Sequence, residues 1–420
     1  MKDLYAIKIR AIFSELKVER VSFWLICIYL FMEYVRPQSI YPAIDVIPFA
    51  FITILFAFIT YLIEGKHERV KNAENKLIVA FLAIILLSST FSYAPAESFS
   101  NLQLFLSWFI IYFLIIHIVN SEKRFFIFFL SFLLYNFKMS QHGFLSWAQI
   151  GFQFRDWGVT GAPGWFHNSG EFGIELCMFL PLSIYFVLSL KQHWGKLKLF
   201  FFLLLPFTAM ASVIATSSRG AIVGAAAALL WMVGKSKARV KALLAIAIIS
   251  IVVYSFLPPE QHQRFQSSGE DKTSTTRLVR WEAGLEMMEN NPILGVGYRN
   301  WMPYYRDFYG QKDVGLPHNI FIDAGAELGY TGLIIFILMI LFTLINNART
   351  RKLALATDNK FIFYTAHGLD AALIGFLVSG FFVSVLYYPY FWINLSLTVA
   401  LNNIANQQTT KLPDIVNSKD

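Results

Sequence analysis

Residues 315–345 read GLPHNIFIDAGAELGYTGLIIFILMILFTLI, a polar, proline-containing approach that runs into a long apolar stretch. About 20 residues at a rise of about 1.5 Å each cross a hydrocarbon core of roughly 30 Å, so the stretch centred on Ile335 is long enough to span a bilayer. We therefore predict a membrane-spanning helix here, with His318 at the point where the preceding loop enters it.

Apolar stretches of this kind recur from one end of the chain to the other. Of the 420 residues, 56% are hydrophobic and only 15% are charged, and the mean hydropathy is +0.53. Soluble proteins have roughly 45–50% apolar and about 25% charged residues. The pattern predicts an all-α polytopic membrane bundle, a single membrane domain over residues 1–420 with about twelve transmembrane helices. The other centres lie near Tyr29, Leu55, Ile84, Phe109, Phe129, Phe179, Leu204, Ala226, Ile248, Phe376 and Leu397.

Lysine and arginine are concentrated in alternate segments between the predicted spans. Five lie in residues 1–20, and the segments on that side hold 24 in total, whereas the short loops between them hold only Arg36, Arg155 and Arg219. Because cytoplasmic loops carry the excess of basic residues, both termini are expected in the cytoplasm. A large loop over residues 258–318 and a smaller one over 136–172 are then expected on the opposite side.

The composition argues against several other classes of protein. The net charge of +8 does not indicate nucleic-acid binding, since the basic residues follow the alternation that membrane topology requires. Cys27 and Cys177 lie inside apolar runs, where they behave as small hydrophobic residues, and their spacing suggests neither a disulfide nor a metal site. The charged N-terminal segment lacks the short apolar region and cleavage site of a removable signal peptide.

The first candidate for binding chemistry is TSSRGA, residues 216–221. Arg219 stands at a predicted span boundary between hydroxyl groups and Gly220, where its guanidinium could bind a phosphate. If Gly220 and Ala221 begin the next helix, the positive end of that helix faces the same anion. The alternative interpretation is an arginine that ends a helix and reaches the interface with its charged group.

The second candidate is TTRLVRWEAGLEMMENNPILGVG, residues 275–297. Arg277 and Trp281 are four residues apart and share one helical face, with Arg280 about 60° away. Apolar residues recur at helical spacing, so we predict a helix lying on the membrane surface that ends at Asn291-Pro292. Alternatively, Arg277 and Arg280 only solvate this helix or contact lipid headgroups.

The third candidate is the approach to the span described first. Histidine is the side chain whose ordinary pKa suits proton transfer near neutral pH, which makes His318 a candidate general base. Pro317 restricts the backbone before it, and Asn319 adds an amide donor and acceptor. A lone histidine is more often structural or solvated. The catalytic interpretation of His318 is therefore supported only in combination with the arginines predicted on the same side.

At these three motifs the chain resembles the O-antigen ligase and O-antigen polymerase superfamily of bacterial envelope glycan enzymes. The resemblance covers SSRGA, the R-x-x-x-W helix with NPILGVG, and PHNIF followed by ELGYTGLIIF, and most of the chain in its topology. It implies a glycosyltransferase of the inner membrane, with its active site facing the periplasm. Such an enzyme moves a glycan from undecaprenyl diphosphate to an acceptor hydroxyl, with neither a metal nor another cofactor.

Carried over to this chain, the resemblance implies a role for each candidate residue. Arg219 and Arg277 would hold the diphosphate, Arg280 would be a second contact, and His318 would activate the acceptor hydroxyl. The acceptor could be a lipid of the lipid A-core type, a glycan or a protein, and Asn319 is a further candidate for substrate contact.

The segment 136–173 looks like the fuller version of this loop found in ligase-like members of exopolysaccharide systems. Lys138 near a span end, with Arg155 and His167 in the loop, is a candidate for extending the sugar or phosphate site, since an ionisable residue at membrane depth suggests function. The tryptophans of this segment are expected to anchor the chain at the membrane interface, their commoner role at this depth.

Two other functions remain open from the sequence. A polymerase that extends a glycan by repeat units would need the same donor site and the same base as a ligase. A flippase or transporter of lipid-linked sugars is less favoured, because such proteins usually show related halves, and the sequence shows no internal repeat.

Overall fold

The computed structural model describes residues 1–65, 69–154, 158–236, 238–241, 243–244, 247, 272–310 and 314–410. These residues are predominantly helical and contain no strand, which confirms the predicted all-α polytopic membrane fold. The helices are α1 Ile9–Val18, α2 Val21–Leu30, α3 Phe49–Glu64, α4 Ala73–Thr90, α5 Pro95–Ile118, α6 Glu122–Gln149, α7 Ser169–Leu190, α8 Lys196–Ala215, α9 Arg219–Lys235, α10 Lys272–Asn290, α11 Trp301–Tyr309, α12 Ile320–Ala356, α13 Lys360–Gly380 and α14 Pro389–Thr410. Short helical turns lie at Lys2–Tyr5, Phe31–Val35 and Pro37–Ile40.

Eleven of the twelve predicted centres each fall in a separate helix, and the twelfth, Ile248, lies outside the described residues. Within the described part of the chain, six helices are long and apolar enough to cross a membrane by length and composition alone: Ala73–Thr90, Pro95–Ile118, Ser169–His193, Lys196–Ala215, Ile320–Ala356 and Lys360–Gly380. Others, such as α9 and α14, are shorter or contain more polar residues. The predicted number of twelve spans therefore stays a prediction.

The loops between helices gather at two ends of the bundle. At the end that carries His318, which we call the His318 end, the Tyr93 N–H donates to the Val296 carbonyl over 2.9 Å and the Val159 N–H to the Ala215 carbonyl over 3.0 Å. The His318 N–H donates to Ser384 Oγ over 2.9 Å. Loops far apart in sequence thus form one connected surface.

Other loops of the described residues meet at the opposite end, which we call the Tyr5 end. Glu122 there accepts hydrogen bonds from Tyr5 near the N-terminus, from Asn359 and from Gln408 near the end of α14. Arg124 forms an ion pair with Glu19, with Nε 2.7 Å from Oε2. The two groups of loops are those that the charge pattern separates, so the alternation inferred from lysine and arginine corresponds to two physical ends.

Helix α7 is the central element of the bundle. It packs against α8, α9 and α13, and almost every side chain from Phe172 to Leu190 is buried. Small residues allow the close approach: a Cβ on Gly173 would lie 2.5 Å from that of Ala221, and one on Gly375 3.1 Å from the Cys177 carbonyl oxygen. Such small-residue contacts are typical of helices packed within membranes.

Helix α12 is broken at Gly329, whose φ of 69° and ψ of −175° are not helical. The break leaves backbone carbonyls of the first helical piece without partners in their own helix. The N–H groups of Val296 and Gly297 are their hydrogen-bond partners, and they donate to the carbonyls of Ala326 and Glu327 over 2.8 and 3.1 Å. The motif NPILGVG is therefore hydrogen-bonded to the helix break that the motif ELGYTG contains.

The segment expected as a loop from residue 136 begins only at Ile150, because α6 continues to Gln149. Its polar residues do not end the helix, since they bond within it or to its neighbour. Asn136 Nδ2 donates to the Phe132 carbonyl, and Ser140 Oγ lies 2.8 Å from Thr208 Oγ1 of α8. The polar residues of this segment therefore mark packing between helices and not a loop.

The break in α12 gives a test of the fold. Changing Gly329 to Ala forces a side chain into a backbone conformation that is essentially restricted to glycine, which costs about 1–3 kcal/mol, and places its Cβ 2.5 Å from the Ile293 backbone. We expect a clear fall in the unfolding temperature of the detergent-solubilised protein. Gly234→Ala is the matched control, because a Cβ there meets nothing within 4 Å. Equal unfolding temperatures for both variants would contradict the account of the break.

Candidate functional site

The approach segment, residues 315–318, is held by side chains from both helices of the large loop. Trp301 Nε1 donates to the Gly315 carbonyl over 3.0 Å, and Trp281 Nε1 donates to the Pro317 carbonyl over 2.8 Å. Between them, Arg280 Nη1 donates to the Leu316 carbonyl over 3.1 Å. Three consecutive carbonyls are thus bound in succession, which orders the backbone immediately before His318.

His318 adopts a left-handed backbone conformation with φ of 53°. Such a conformation is uncommon for a residue other than glycine, and non-glycine residues held in it tend to occur at functional sites. The hydrogen bond to Ser384 fixes its N–H group, and Ser384 in turn donates to the buried carboxyl of Asp323. The histidine is therefore held from the α10 side and from the turn between α13 and α14.

Arg277 and Arg280 of α10 both act on the His318 imidazole. Burial, followed by the positive charges of these two arginines, lowers the pKa of His318 to about 4. At neutral pH the imidazole is consequently uncharged and able to accept a proton. Both arginines lie on α10, which ends at Asn290 directly before Asn291-Pro292, and its position on the membrane surface stays a prediction.

Arg280 has a structural contact in addition to its electrostatic effect. Besides its bond to Leu316, its guanidinium lies where a side chain on Gly315 would be, since a Cβ there would sit 2.3 Å from Nη2. Glycine at 315 therefore lets the arginine cross the approach segment. The side chain of Arg280 is buried, with 7% exposure, whereas Arg277 is half-buried.

Arg219 is the first residue of α9, as the sequence suggested. Ser218 precedes it as the N-cap, accepting the Ala221 N–H over 3.3 Å. Gly220 packs against Phe382, with its Cβ position 2.8 Å from the Phe382 Cβ. Because Ser384 of the same turn binds His318, the start of α9 and the approach segment both contact the turn at residues 381–388.

Asn319 and His167 have defined partners in the fold. Asn319 is the N-cap of α12, and its Oδ1 accepts the N–H groups of Phe321 and Ile322. His167 is exposed, with Nδ1 3.3 Å from a carboxylate oxygen of Glu171. The capping role leaves only the amide NH₂ group of Asn319 for contact with a substrate.

Lys138 and Arg155 are not joined to this group by the structure. Lys138 is half-buried on α6, where its positive charge acts on the imidazole of His142. His142 lines a separate cavity of about 350 Å³ together with Ser146 and Thr160. Arg155 lies outside the described residues. Contact of either residue with substrate therefore remains a prediction.

The sequence reasoning missed a group of charged and hydroxyl residues around His318. Glu327 accepts the backbone N–H groups of Arg299 and Trp301 over 3.0 and 3.2 Å. The Arg299 guanidinium lies over the Tyr387 ring at 5.9 Å from its centroid. Asp323 and Glu327 are four residues apart in an apolar span, a signal that could have identified them, because carboxylates are costly in such a segment.

A second hydrogen-bonded group adjoins the first. The Tyr388 hydroxyl donates to Glu171 Oε1 over 2.7 Å, and the ring of Tyr388 contacts Trp165 edge to face at 4.8 Å. Among the described residues, no group of three or more His, Cys, Asp or Glu side chains is placed to hold a metal ion. The groups around His318 are suited instead to holding an anion and moving a proton.

Comparison with known proteins assigns a family to part of the chain. Residues 201–337 match the family model described as O-antigen ligase. This region belongs to the O-antigen ligase-like superfamily. The matched region contains Arg219, the two arginines of α10 and His318, and it ends within α12. Residues 1–139 match a second model, described only as a family of unknown function.

One curated relative of this O-antigen ligase-like protein is similar over a short region. The exopolysaccharide production protein ExoQ of Rhizobium meliloti (strain 1021) is 33% identical over 81 residues. The match covers 17% of this chain and 19% of that relative, so the chain matches only a small part of that protein's length.

The contacts of Glu327 lead to a second prediction. Glu327→Gln replaces one of two buried acceptor oxygens by an NH₂ group that faces a backbone N–H, a loss expected to cost about 1–3 kcal/mol. Thermal unfolding in detergent should therefore be shifted down. The control is Glu289→Gln, a matched change on the exposed face of α10. Similar unfolding temperatures for the two variants would show that Glu327 does not support the turn at residues 299–301.

Proposed function

We propose that this protein is a membrane glycosyltransferase that moves a glycan from undecaprenyl diphosphate to an acceptor hydroxyl at the periplasmic face, in the manner of a ligase. The observation that carries the proposal is the position of His318, which lies at the end of a segment held by α10 and is close enough to Arg277 and Arg280 for their charges to act on it. A base and a cationic anion site within one group of contacts are the two components that such a transfer needs.

The arginines are suited to the leaving group. As the bond between the anomeric carbon and the diphosphate oxygen breaks, negative charge builds on the undecaprenyl diphosphate. Arg277, half-buried beside His318, and Arg219 at the positive end of α9 can stabilise that charge by hydrogen bonds that are already oriented. Arginine supplies this charge without a metal ion or another cofactor.

His318 is suited to the acceptor. Its imidazole accepts the proton of the acceptor hydroxyl while the hydroxyl oxygen forms the new bond to the anomeric carbon. Binding of the diphosphate would offset the charges of Arg277 and Arg280, and the basicity of His318 would then rise. The anion that must leave therefore makes the base stronger when it binds.

The charge pattern of the loops supports the sidedness of the reaction. Lysine and arginine concentrate at the Tyr5 end, which the positive-inside rule assigns to the cytoplasm. The His318 end then faces the periplasm of a bacterial inner membrane, where a lipid-linked glycan is presented after its translocation. Both termini would be cytoplasmic.

A polymerase that extends the glycan by repeat units is the second candidate, favoured by the same base and arginines. The acceptor in that case is another glycan rather than a lipid of the lipid A-core type or a protein. A flippase is less favoured, because the candidate base and the candidate arginines collect at one end of the bundle instead of lining a path through it.

Substitution of the base separates an enzyme from a transporter. His318→Ala should lower the turnover of purified enzyme about 10²- to 10⁴-fold, the usual contribution of a general base, while binding of lipid-linked donor persists. Arg219→Ala and Arg277→Ala should each reduce turnover by about 10²-fold or more. Transfer is measured by the gel mobility of the glycosylated acceptor after incubation with donor extracted from host membranes.

Arg306→Ala is the matched control for these variants. Arg306 belongs to the same large loop but is exposed, with its Nε 2.8 Å from Asp307, and its loss should leave transfer nearly unchanged. Near-native transfer by Arg277→Ala or Arg219→Ala would remove the diphosphate role. Continued lipid translocation without transfer would favour a flippase.

The linkage between anion binding and basicity can be measured directly. Burial and the two arginines lower the pKa of His318 to about 4, and a bound anion is expected to raise it because the anion offsets the arginine charges. The pKa is followed by NMR of histidine-labelled protein, with His318→Ala for assignment. Inorganic pyrophosphate should raise it, whereas sodium chloride at the same ionic strength should not. An unchanged pKa in saturating pyrophosphate would separate His318 from the anion site.

A further inference from the structure

A cavity of about 550 Å³ opens at the His318 end between α2, α3 and α5. None of the candidate residues that the structure describes lines it. Its wall combines an apolar part, formed by residues 47–51, with charged, amide and aromatic side chains, among them Glu33, Arg36, Gln38, Asn101, Gln103 and Trp165. On α5 the lining residues lie between Ser100 and Trp108, so the cavity runs along this part of the helix.

The polar groups of this cavity are held in fixed positions. Trp165 Nε1 donates to the buried carboxyl of Glu33, and the Arg36 guanidinium lies over Gly164, where a Cβ would be 2.4 Å from Cζ. Arg36 itself adopts a left-handed conformation with φ of 51°. Strained backbone of this kind tends to be retained where function requires it.

Gln38 is the least satisfied of these groups. Its side chain is 6% exposed, and its Nε2 makes one long hydrogen bond, 3.4 Å to the Met32 carbonyl. Its Oε1 has no hydrogen-bond partner among the described residues. A buried amide oxygen without a partner costs about 1–3 kcal/mol, and a ligand donor would remove that cost.

We propose that this cavity binds a pyranose sugar unit of one of the two substrates, an inference that rests on the proposed function. Carboxylate, guanidinium and amide groups together offer both acceptors and donors for neighbouring sugar hydroxyls. The half-buried ring of Trp165 offers an apolar face to the C–H side of the sugar. A lipid tail does not fit, since burying these polar groups against hydrocarbon would leave them without partners.

The cavity is connected to the His318 group through Trp165. The ring of Trp165 contacts Tyr388 at 4.8 Å, and its carbonyl accepts the Tyr390 hydroxyl over 2.8 Å. Tyr388 belongs to the turn at residues 381–388 that binds His318 through Ser384. A glycan with one end at His318 can therefore extend along this turn into the cavity.

The test measures sugar binding without turnover. The probe is a mixture of the methyl glycosides of glucose, galactose, mannose and N-acetylglucosamine, observed by saturation-transfer NMR with the full-length protein in detergent. Wild-type protein should transfer saturation to at least one glycoside. Gln38→Leu, which removes an unsatisfied amide with little change in volume, should fold normally and bind that glycoside roughly three- to tenfold more weakly, the loss expected for one hydrogen bond.

Two further variants make the outcome specific. Gln103→Ala removes an exposed lining residue that cannot be needed for the core, and it should also weaken binding. Gln192 lies between α7 and α8 at the Tyr5 end, and the Gln192→Leu protein should bind the glycoside as wild type does. Absence of transfer to wild type, or equal binding by all four proteins, would overturn the proposal.

Kinetics then identify which substrate supplies the sugar. In the transfer assay, Gln38→Leu should raise the KM of the donor if the cavity holds a donor sugar, and that of the acceptor if it holds an acceptor sugar. Unchanged KM values for both would overturn the subsite even if free glycosides bind. Because glycoside binding needs no chemistry, its failure is distinct from a loss of transfer caused by His318→Ala.

Discussion

The arrangement of the site depends on the break in α12 at Gly329. A continuous helix would satisfy its own carbonyls, and the large loop would have no backbone groups in the span to bond with. The break releases the carbonyls of Ala326 and Glu327, which accept the N–H groups of Val296 and Gly297. Irregular backbone at this depth is tolerated only where protein groups satisfy it. The large loop is thereby joined to the membrane helix that begins after His318.

That junction places α10 and α11 beside the approach segment. Trp301, Arg280 and Trp281 then bind the carbonyls of residues 315–317 in order. Because this backbone is ordered, His318 lies close to the positive charges of Arg277 and Arg280 and also contacts the turn at residues 381–388. The low pKa of His318 follows from this enclosure, because burial and the arginines both oppose its protonation.

The His318 end also shows how a membrane bundle builds a polar surface. The described part of this surface is built from contacts between loops that lie far apart in sequence. Tyr388 reaches Glu171, Trp165 reaches Glu33, and Ser384 reaches His318. Hydrogen bonds and the ring contact between Trp165 and Tyr388 thus connect the large loop to the cavity beside Arg36.

The sequence by itself determined the helical membrane fold and the two groups of loops, because span length, hydropathy and charge bias are properties of local segments. It also made His318 and the arginines of α10 candidates, because the spacing of the arginines along one helix is local too. Only the tertiary structure decided that Asn319 caps a helix, that α6 continues to Gln149, that Glu327 binds the backbone of Arg299, and that Ser384 binds His318. Those roles depend on contacts between distant segments, and no local pattern records which distant carbonyl or hydroxyl a residue will meet.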